Sequence, residues 1–424
     1  MTKKLYTFRN VITIVIFLLL PLPLLYTFIT GNTQLGQDKV TGAIFGLISY
    51  TYMLSTLYLG TKPKWIDKGI GLPEIYYIHG IIAFVGVLFF AIHGALMNSQ
   101  GLIKYTGGVA AYLFALVTIF SAIYFASWLS EKFEFIKKAK QYLESHVKHE
   151  LALWLHRINI LSSILVFTHV SLMEPVRSIK PFYYIFILYA AIPLISYFIM
   201  IYRYYVNPNR ATLVDLQRLD DTIVGLTLGV NNNYARKIKA GDFVFIAFDE
   251  AKELAAYHPF SVVSKGKNTV DFAISEAGDF TSNLKSLQKG ARARLSSGYG
   301  AINSLMEKTT DQPIVLLVGG IGITPMISIM DNYKDKKITM LYSVSKDKEL
   351  LFTDKIEKWK ENGNYKIVAQ KHRFTIEQIS NELADFKSAY YFLAGPMRMN
   401  TSLKKDLIDA GVKADNIFFE AFNW

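Results

Sequence analysis

Six apolar runs of about 20 residues each, the length that crosses a hydrocarbon core of roughly 30 Å, lie near residues 10–30, 40–60, 75–97, 108–129, 151–173 and 182–204. They predict a bundle of six transmembrane helices. The first run does not read as a cleaved leader, because it is too long and no small-residue cleavage site clearly follows it. With 424 residues, 51% of them hydrophobic, the chain has room for two or three domains and is too apolar to be a soluble enzyme throughout.

Lysine and arginine in short loops mark the cytoplasmic side. The N-terminus (Lys3, Lys4, Arg9), the second loop (Lys62, Lys64, Lys68) and the fourth (Lys132, Lys137, Lys138, Lys140, Lys148) carry eleven, against four in the intervening loops (Lys39, Lys104, Arg177, Lys180). Both termini are therefore expected in the cytoplasm of a multi-pass cell-membrane protein. The net charge of +12 is explained by these loops facing anionic lipid headgroups. No domain-wide basic stripe argues for nucleic acid, and no obligatory protein partner is evident. The absence of cysteine excludes disulfides, thiolate metal sites and cysteine catalysis.

The third and fifth runs each carry two histidines. His79 and His93 are 14 residues apart, roughly 21 Å along a helix, with rings within about 40° of each other. His156 and His169 are 13 apart. Both runs cross in the same direction, so His79 with His156 and His93 with His169 form two pairs at two depths. Intramembrane ionisable residues are costly and usually functional, and neutral imidazoles on facing helices suit a planar haem with two axial positions. A polar core histidine bonded to a backbone carbonyl is the structural alternative for any one of the four. Thirteen residues leave His156 and His169 about 140° apart on a regular helix, which predicts a departure from α-geometry between them. Gly80, Gly86 and Gly94 read either as room for a porphyrin or as ordinary helix contacts. Arg157 reads either as a haem-propionate partner or as a snorkelling interfacial residue.

From about Asn207 the composition changes. Short apolar runs alternating with turns (LVDLQRL, TIVGLTL, DFVFIAF) predict a small antiparallel barrel. After DQP at 311–313, buried-type strands (IVLLV, ITMLYSV, YKIVA, AYYFLA) separated by helical stretches predict a doubly wound parallel sheet. The expected domains are 1–206, 207–310 and 311–424.

Four stretches of this half carry chemistry. In YHPFSVVS, Pro259 fixes the backbone, Phe260 is flat and Ser261 offers a small hydrogen-bonding group; the plain reading is a strand after a turn. GDFTSNL, from Gly278 through Asp279 and Thr281, opens a helix whose free N–H groups and hydroxyls suit a pyrophosphate, or simply a capped helix start. GGIGITP places Gly319, Gly320 and Gly322, then Thr324 and Pro325, between a strand and a helix, where backbone can approach a dinucleotide. Gly395 and Pro396 follow the strand AYYFL at a second turn of the same sheet.

The two histidine pairs, followed in order by HPFS, GDFT, SGYG (297–300), GGIGITP, a Gly-Pro pair and a terminal aromatic, resemble the NADPH oxidase and ferric reductase superfamily, most of all its prokaryotic NADPH oxidases. The resemblance implies a membrane α-helical bundle joined to a ferredoxin-reductase-like module, in which a β-barrel FAD domain precedes an NAD(P)H-binding α/β domain. It implies that His79 with His156 holds an inner b-type haem and His93 with His169 an outer one. His258, Pro259, Phe260, Ser261 and Ser264 would line FAD, with Ser261 near its reactive nitrogen, and Gly278, Asp279 and Thr281 would meet its pyrophosphate. Gly319, Gly320, Gly322, Thr324, Pro325, Gly395 and Pro396 would hold NAD(P)H, Phe422 would cover the flavin, and Trp424 extends past the usual aromatic ending. Lys346 and Arg373 lie where a 2′-phosphate partner would sit and read equally as solvated surface charges. The implied activity is electron transfer from NAD(P)H through FAD and two haems to oxygen, giving superoxide. Reduction of a metal chelate is the enzymatic alternative, and an electron-relay subunit serving quinone or a partner protein the non-enzymatic one. Three departures bear on this: Ala394 replaces the cysteine many relatives carry before Gly-Pro, the second run has no arginine, and Met97 stands one turn past His93 in place of a histidine.

Overall fold

The computed structural model describes residues 11–13, 15–32, 35–130, 132–309 and 312–419. The chain forms two units. One is the helical bundle; the other joins Lys64–Pro73 to the chain from Tyr202 onward.

The helices of the first half are α1 (Leu22–Gly31), α2 (Gln37–Gly60), α3 (Lys64–Ile70), α4 (Leu72–Leu96), α5 (Gly101–Phe125), α6 (Glu134–His146), α7 (His149–His156), α8 (Asn159–Ser171) and α9 (Lys180–Ile201), with short turns between them and α3 packing in the second unit. Only a helix or a closed barrel satisfies its own backbone in lipid, and among the described residues five helical stretches are long and apolar enough to cross: Lys39–Gly60, Leu72–Leu96, Gly101–Phe125, His149–Ser171 and Lys180–Val206. Six were expected. The first apolar run is instead divided into a π-helical turn, Val15–Leu19, and the ten-residue α1. Pro21 and Pro23 account for the division, since neither has an N–H to continue the ladder. Large apolar side chains such as Leu88, Tyr112, Leu116, Ile195 and Phe198 point outward, as expected of a surface meeting lipid. Between helices, the Ser49 hydroxyl donates to the Gly86 carbonyl at 2.8 Å, tying α2 to α4.

The fifth span is interrupted. α7 ends at His156, Arg157 and Ile158 form a turn, and α8 begins at Asn159. Ile158 N–H bonds to Leu155, Ile160 to Arg157 and Leu161 to Ile158, each three residues back. Such 3₁₀ winding advances about 120° per residue, so three or four residues of it remove about half of the mismatch between the two histidines.

In the second unit a closed antiparallel barrel runs β1-β2-β5-β4-β3-β6 around its circumference, β1 being Asn209–Asp220, β2 Ile223–Gly229, β3 Phe243–Phe248, β4 His258–Lys265, β5 Thr269–Ser275 and β6 Arg292–Leu295. A parallel sheet follows in the order β11-β10-β7-β8-β9, formed by β7 (Ile314–Gly319), β8 (Ile338–Ser343), β9 (Tyr365–Gln370), β10 (Tyr390–Ala394) and β11 (Ile417–Phe418). The expected boundary at 310/311 falls on residues outside those described. One apolar core spans both parts: Val263 of β4 and Ala273 of β5 pack with Ile323, Met326 and Ile327 of the helix following β7, α10 (Ile323–Asn332). Gly241 N–H also donates to the Ser328 hydroxyl of α10 at 2.8 Å.

Candidate functional site

The bundle brings the four histidines together in the expected pairs. Ring centroids lie 5.7 Å apart for His79 and His156 and 6.3 Å for His93 and His169. Two imidazoles ligating one metal atom from opposite sides, at about 2 Å per bond, would sit with centroids about 6.4 Å apart; the His93–His169 pair matches that spacing and the His79–His156 pair is closer than it.

Three of the four rings are also fixed in one tautomer. His79 Nδ1 lies 3.0 Å from the Thr56 carbonyl, His93 Nδ1 2.8 Å from that of Gly42, and His169 Nδ1 2.8 Å from that of Ile103. A carbonyl only accepts, so Nδ1 carries the proton and Nε2 keeps the lone pair a metal needs. His156 Nδ1 pairs instead with the Ser121 hydroxyl at 2.8 Å. The histidines of α4 thus lean on α2, and those of α7 and α8 on α5.

Glycine stands four residues past each of these carbonyls, and at Gly46 and Gly107 it is what lets the ring approach. Gly46 follows Gly42, Gly60 follows Thr56 and Gly107 follows Ile103. A Cβ on Gly46 would lie 2.7 Å from His93 Nδ1, one on Gly107 2.7 Å from His169 Nδ1, and one on Gly60 4.0 Å from the His79 ring. Sequence reasoning singled out none of these glycines, nor Ser121, because each matters only through a neighbouring helix. Of those it did single out, Gly86 packs against Phe114 and Tyr52, an ordinary helix contact, whereas Gly80 and Gly94 face open space. Ser121→Ala is expected to weaken metal binding at the His79–His156 pair by about 10- to 100-fold, as loss of an outer-shell partner typically does, with the other pair unaffected; titration of purified protein with haem checks it.

In the barrel, His258, Pro259, Phe260 and Ser261 form a half-exposed strip on β4, facing an entirely buried β3. Phe280 stacks against this strip, 4.2 Å from the His258 ring and 5.7 Å from that of Phe260. Ser264 lies apart from it: past a bulge, its hydroxyl donates to Asp271, whose other oxygen accepts from Thr227 at 2.8 Å. Thr281 is committed locally as well, accepting from the N–H groups of Ala277 and Gly278 at 2.8 and 3.0 Å in a five-residue helix, Asp279–Asn283. That is the capped-start reading of GDFT.

GGIGITP and the Gly-Pro pair meet. β7 is flanked by β8 on one side and β10 on the other, so the chain reverses direction around it and leaves a crevice at the carboxyl ends of the two strands. There the backbones touch: a Cβ on Gly322 would overlap the Ala394 carbonyl oxygen, and one on Gly395 would lie 3.2 Å from the Gly319 Cα. Gly320 adopts φ +55°, a left-handed conformation suited to glycine. Thr324 is buried and its hydroxyl donates to the Ile321 carbonyl at 3.0 Å; Pro325 sits in the first turn of α10. Lys346 and Arg373 are exposed in the loops after β8 and β9, at the same end of the sheet. Phe422 and Trp424 lie outside the described residues. Gly322→Ala is expected to weaken nicotinamide-nucleotide binding at least tenfold while FAD is retained, because overpacking against backbone costs about 1–3 kcal/mol or more; equilibrium titration with NADPH and NADH measures it.

α3 completes the second unit through a buried charge cluster that sequence reasoning left in a loop. The Lys64 ammonium donates to the Gly298 carbonyl and lies 3.0 Å from the Tyr299 ring centroid. Asp67 accepts from Gly300 N–H at 3.3 Å, and Asp242 from Lys239 N–H at 2.8 Å. Burial pushes Asp67 up to about 6, against the pull of Lys64, and Asp242 up to about 7, while burial draws Lys64 down to about 8. Carboxyls raised on folding contribute stability that is complete below their unfolded value of about 4 and lost as pH rises through the folded values. Lys64, lowered on folding, contributes stability that is lost as pH falls through about 8, so it changes little further at acidic pH. The thermal midpoint of flavin release is therefore expected to be higher near about pH 5.5 than near about pH 7.5, and Asp242→Asn to flatten the difference.

Residues 209–320 match the FAD-binding domain family. Among curated relatives, one subunit of the Na⁺-translocating NADH-quinone reductase of Pseudoalteromonas atlantica is 26% identical over 168 residues, 34% of this chain and 40% of that protein. Flavohemoprotein B of Dictyostelium discoideum is 26% identical over 185 residues, 39% of this chain and 42% of that protein. The chain thus spans about two fifths of the length of these relatives. Among solved structures, a flavohemoglobin from Malassezia yamatoensis has a TM-score of 0.48 at 14% identity, covering 92% of this chain and 100% of that one. A ferredoxin NADP⁺ reductase from Neisseria gonorrhoeae has a TM-score of 0.43 at 20% identity, covering 50% and 97%.

The matched family and the closed barrel define an FAD-binding domain, followed on the same chain by a parallel sheet with helices. The same chain carries a bundle of apolar helices ahead of that domain.

Proposed function

We propose that the chain carries electrons across a membrane, from cytoplasmic NAD(P)H through FAD and two b-type haems to an acceptor on the far side, and that the acceptor is oxygen, released as superoxide. The observation that carries this reading is the two imidazole pairs, one at each end of the bundle, with three of the four rings holding Nε2 unprotonated, on a chain that also holds an FAD-binding domain.

Bound FAD would take two electrons from the nicotinamide as hydride and release them singly, and haem iron would relay one at a time. The chain's own residues prepare the places for these groups. The crevice at the carboxyl ends of β7 and β10 would take the dinucleotide against the glycine backbone of Gly319, Gly320 and Gly395, with Met399 packed beside it, and Lys346 and Arg373 supply positive charge at the same end of the sheet. On β4, Phe260 gives the flavin a flat neighbour and the Ser261 hydroxyl a hydrogen-bonding group. His79 and His156 would hold one haem, His93 and His169 the other, their Nδ1 anchors keeping each ring from turning away. Apolar helices around both pairs exclude water. In this reading the FAD-binding domain and the sheet after it lie on the cytoplasmic side, following the lysine-rich loops between spans.

Reduction of a metal chelate is the second reading, favoured by Met97, which packs beside Gly42 where the animal oxidases of the resembled superfamily have a histidine, and by the lack of the arginine those oxidases carry in the second span. Purified protein given NADPH or NADH separates the readings. Superoxide-dependent cytochrome c reduction that dismutase abolishes supports oxygen; turnover only with chelated ferric iron supports the second reading. Flavin reduction with neither acceptor active would leave a relay to quinone or a partner protein.

A further inference from the structure

The loop between the fourth and fifth spans contains the amphipathic helix α6, whose apolar side chains lie on two faces. Ile136 is buried, with Ala139 and Leu143 partly buried beside it. At about 100° per residue, Phe135, Tyr142 and His146 fall within about 40° of one another on a different face. That second stripe is uncovered: Phe135 is 71% and Tyr142 65% exposed, and Phe133, just before the helix, 46%. The Tyr142 and His146 rings lie 4.4 Å apart, making the stripe continuous.

Two further features identify what covers it. The helix is tethered between spans: two residues separate His146 from His149, where the fifth span begins, so its C-terminal end stays within about 10 Å of that span. Residues 132–148 also carry five lysines against two glutamates, and exposed Lys138 projects within about 60° of both Phe135 and Tyr142. Exposed aromatics flanked by lysines beside a span suit the level of the lipid headgroups.

We propose that α6 lies in the headgroup layer of an anionic leaflet, with Phe133, Phe135 and Tyr142 inserted at the boundary with the acyl chains and Lys138 against acidic headgroups. The stripe thereby anchors the loop that joins the partner helices of the two histidine pairs, α5 and α7. The proposal rests on the membrane reading of the spans and is independent of what they carry.

The cysteine-free chain makes the test direct. In the full-length protein, Phe135→Cys, Tyr142→Cys and, as a control on the polar face, Gln141→Cys are each labelled with an environment-sensitive fluorophore after reconstitution into bilayers of phosphatidylcholine with phosphatidylglycerol; FAD content confirms the fold. Labels at 135 and 142 are expected to be quenched by bromine-bearing lipid and to be at least about threefold less accessible to aqueous iodide than the label at 141. Insertion should weaken when phosphatidylglycerol is omitted or in Lys138→Gln. Equal iodide quenching at all three positions would overturn the proposal, as would shielding without lipid quenching, which would mean protein covers the stripe. Insertion insensitive to lipid charge would overturn the role of Lys138.

Discussion

His169→Ala is expected to abolish reduction of external acceptors while leaving reduction of the flavin by NAD(P)H intact. The His93–His169 pair is built from two sides, each ring held by its own carbonyl, so loss of one leaves a single ligand where the arrangement provides two. Mutating an outer-shell partner of a metal ligand typically costs about 10- to 100-fold, and removing the ligand itself is more severe, so acceptor reduction should fall by more than about 100-fold. Haem absorbance should fall by about half, because His79 and His156 rest on Thr56 and Ser121, contacts that His169 does not share. His156→Ala should produce the mirror result, with the other haem retained. Stopped-flow reduction of the flavin beside steady-state acceptor turnover separates the two halves of the chain in one preparation. Unchanged turnover in either variant would remove that pair from the route.

Gly46→Ala and Gly107→Ala should each displace a ring without touching a ligand. The added methyl carbon would lie 2.7 Å from the Nδ1 that bonds the carbonyl one turn earlier, so helix or imidazole must move and the hydrogen bond that fixes the tautomer is lost. Overpacking of this kind costs about 1–3 kcal/mol, a tenfold to hundredfold weakening of the His93–His169 site. Gly80→Ala and Gly94→Ala, which meet open space in the structure, are the matched controls. Haem retention after detergent dilution ranks the four variants, and equal retention in all would contradict the glycine cradle.

The histidine ladder was legible because helical arithmetic is rigid. A spacing of 13 residues cannot present two rings to one side of a regular helix, and the turn at Arg157–Ile158 is where the chain departs from it. GGIGITP and the Gly-Pro pair were legible as turns after strands, but their contact depends on strand order, which places β10 beside β7. Ser121, Gly46 and Gly107 had no signature, since a serine or glycine in an apolar helix carries no sign of the imidazole on the next one. Six spans were expected because hydropathy counts apolar residues and is blind to what Pro21 does to the ladder. Lys64 and Asp67 read as loop charges because only the fold reveals that they are buried against Tyr299 and Gly300.

The most direct measurement is the ratio of haem to flavin in the purified full-length protein, by pyridine haemochrome assay and flavin extraction, followed by anaerobic addition of NADPH. Two b-type haems per FAD, both reduced by the nucleotide, are expected. Protein that binds FAD yet shows no Soret absorbance after expression with ample haem would contradict the account.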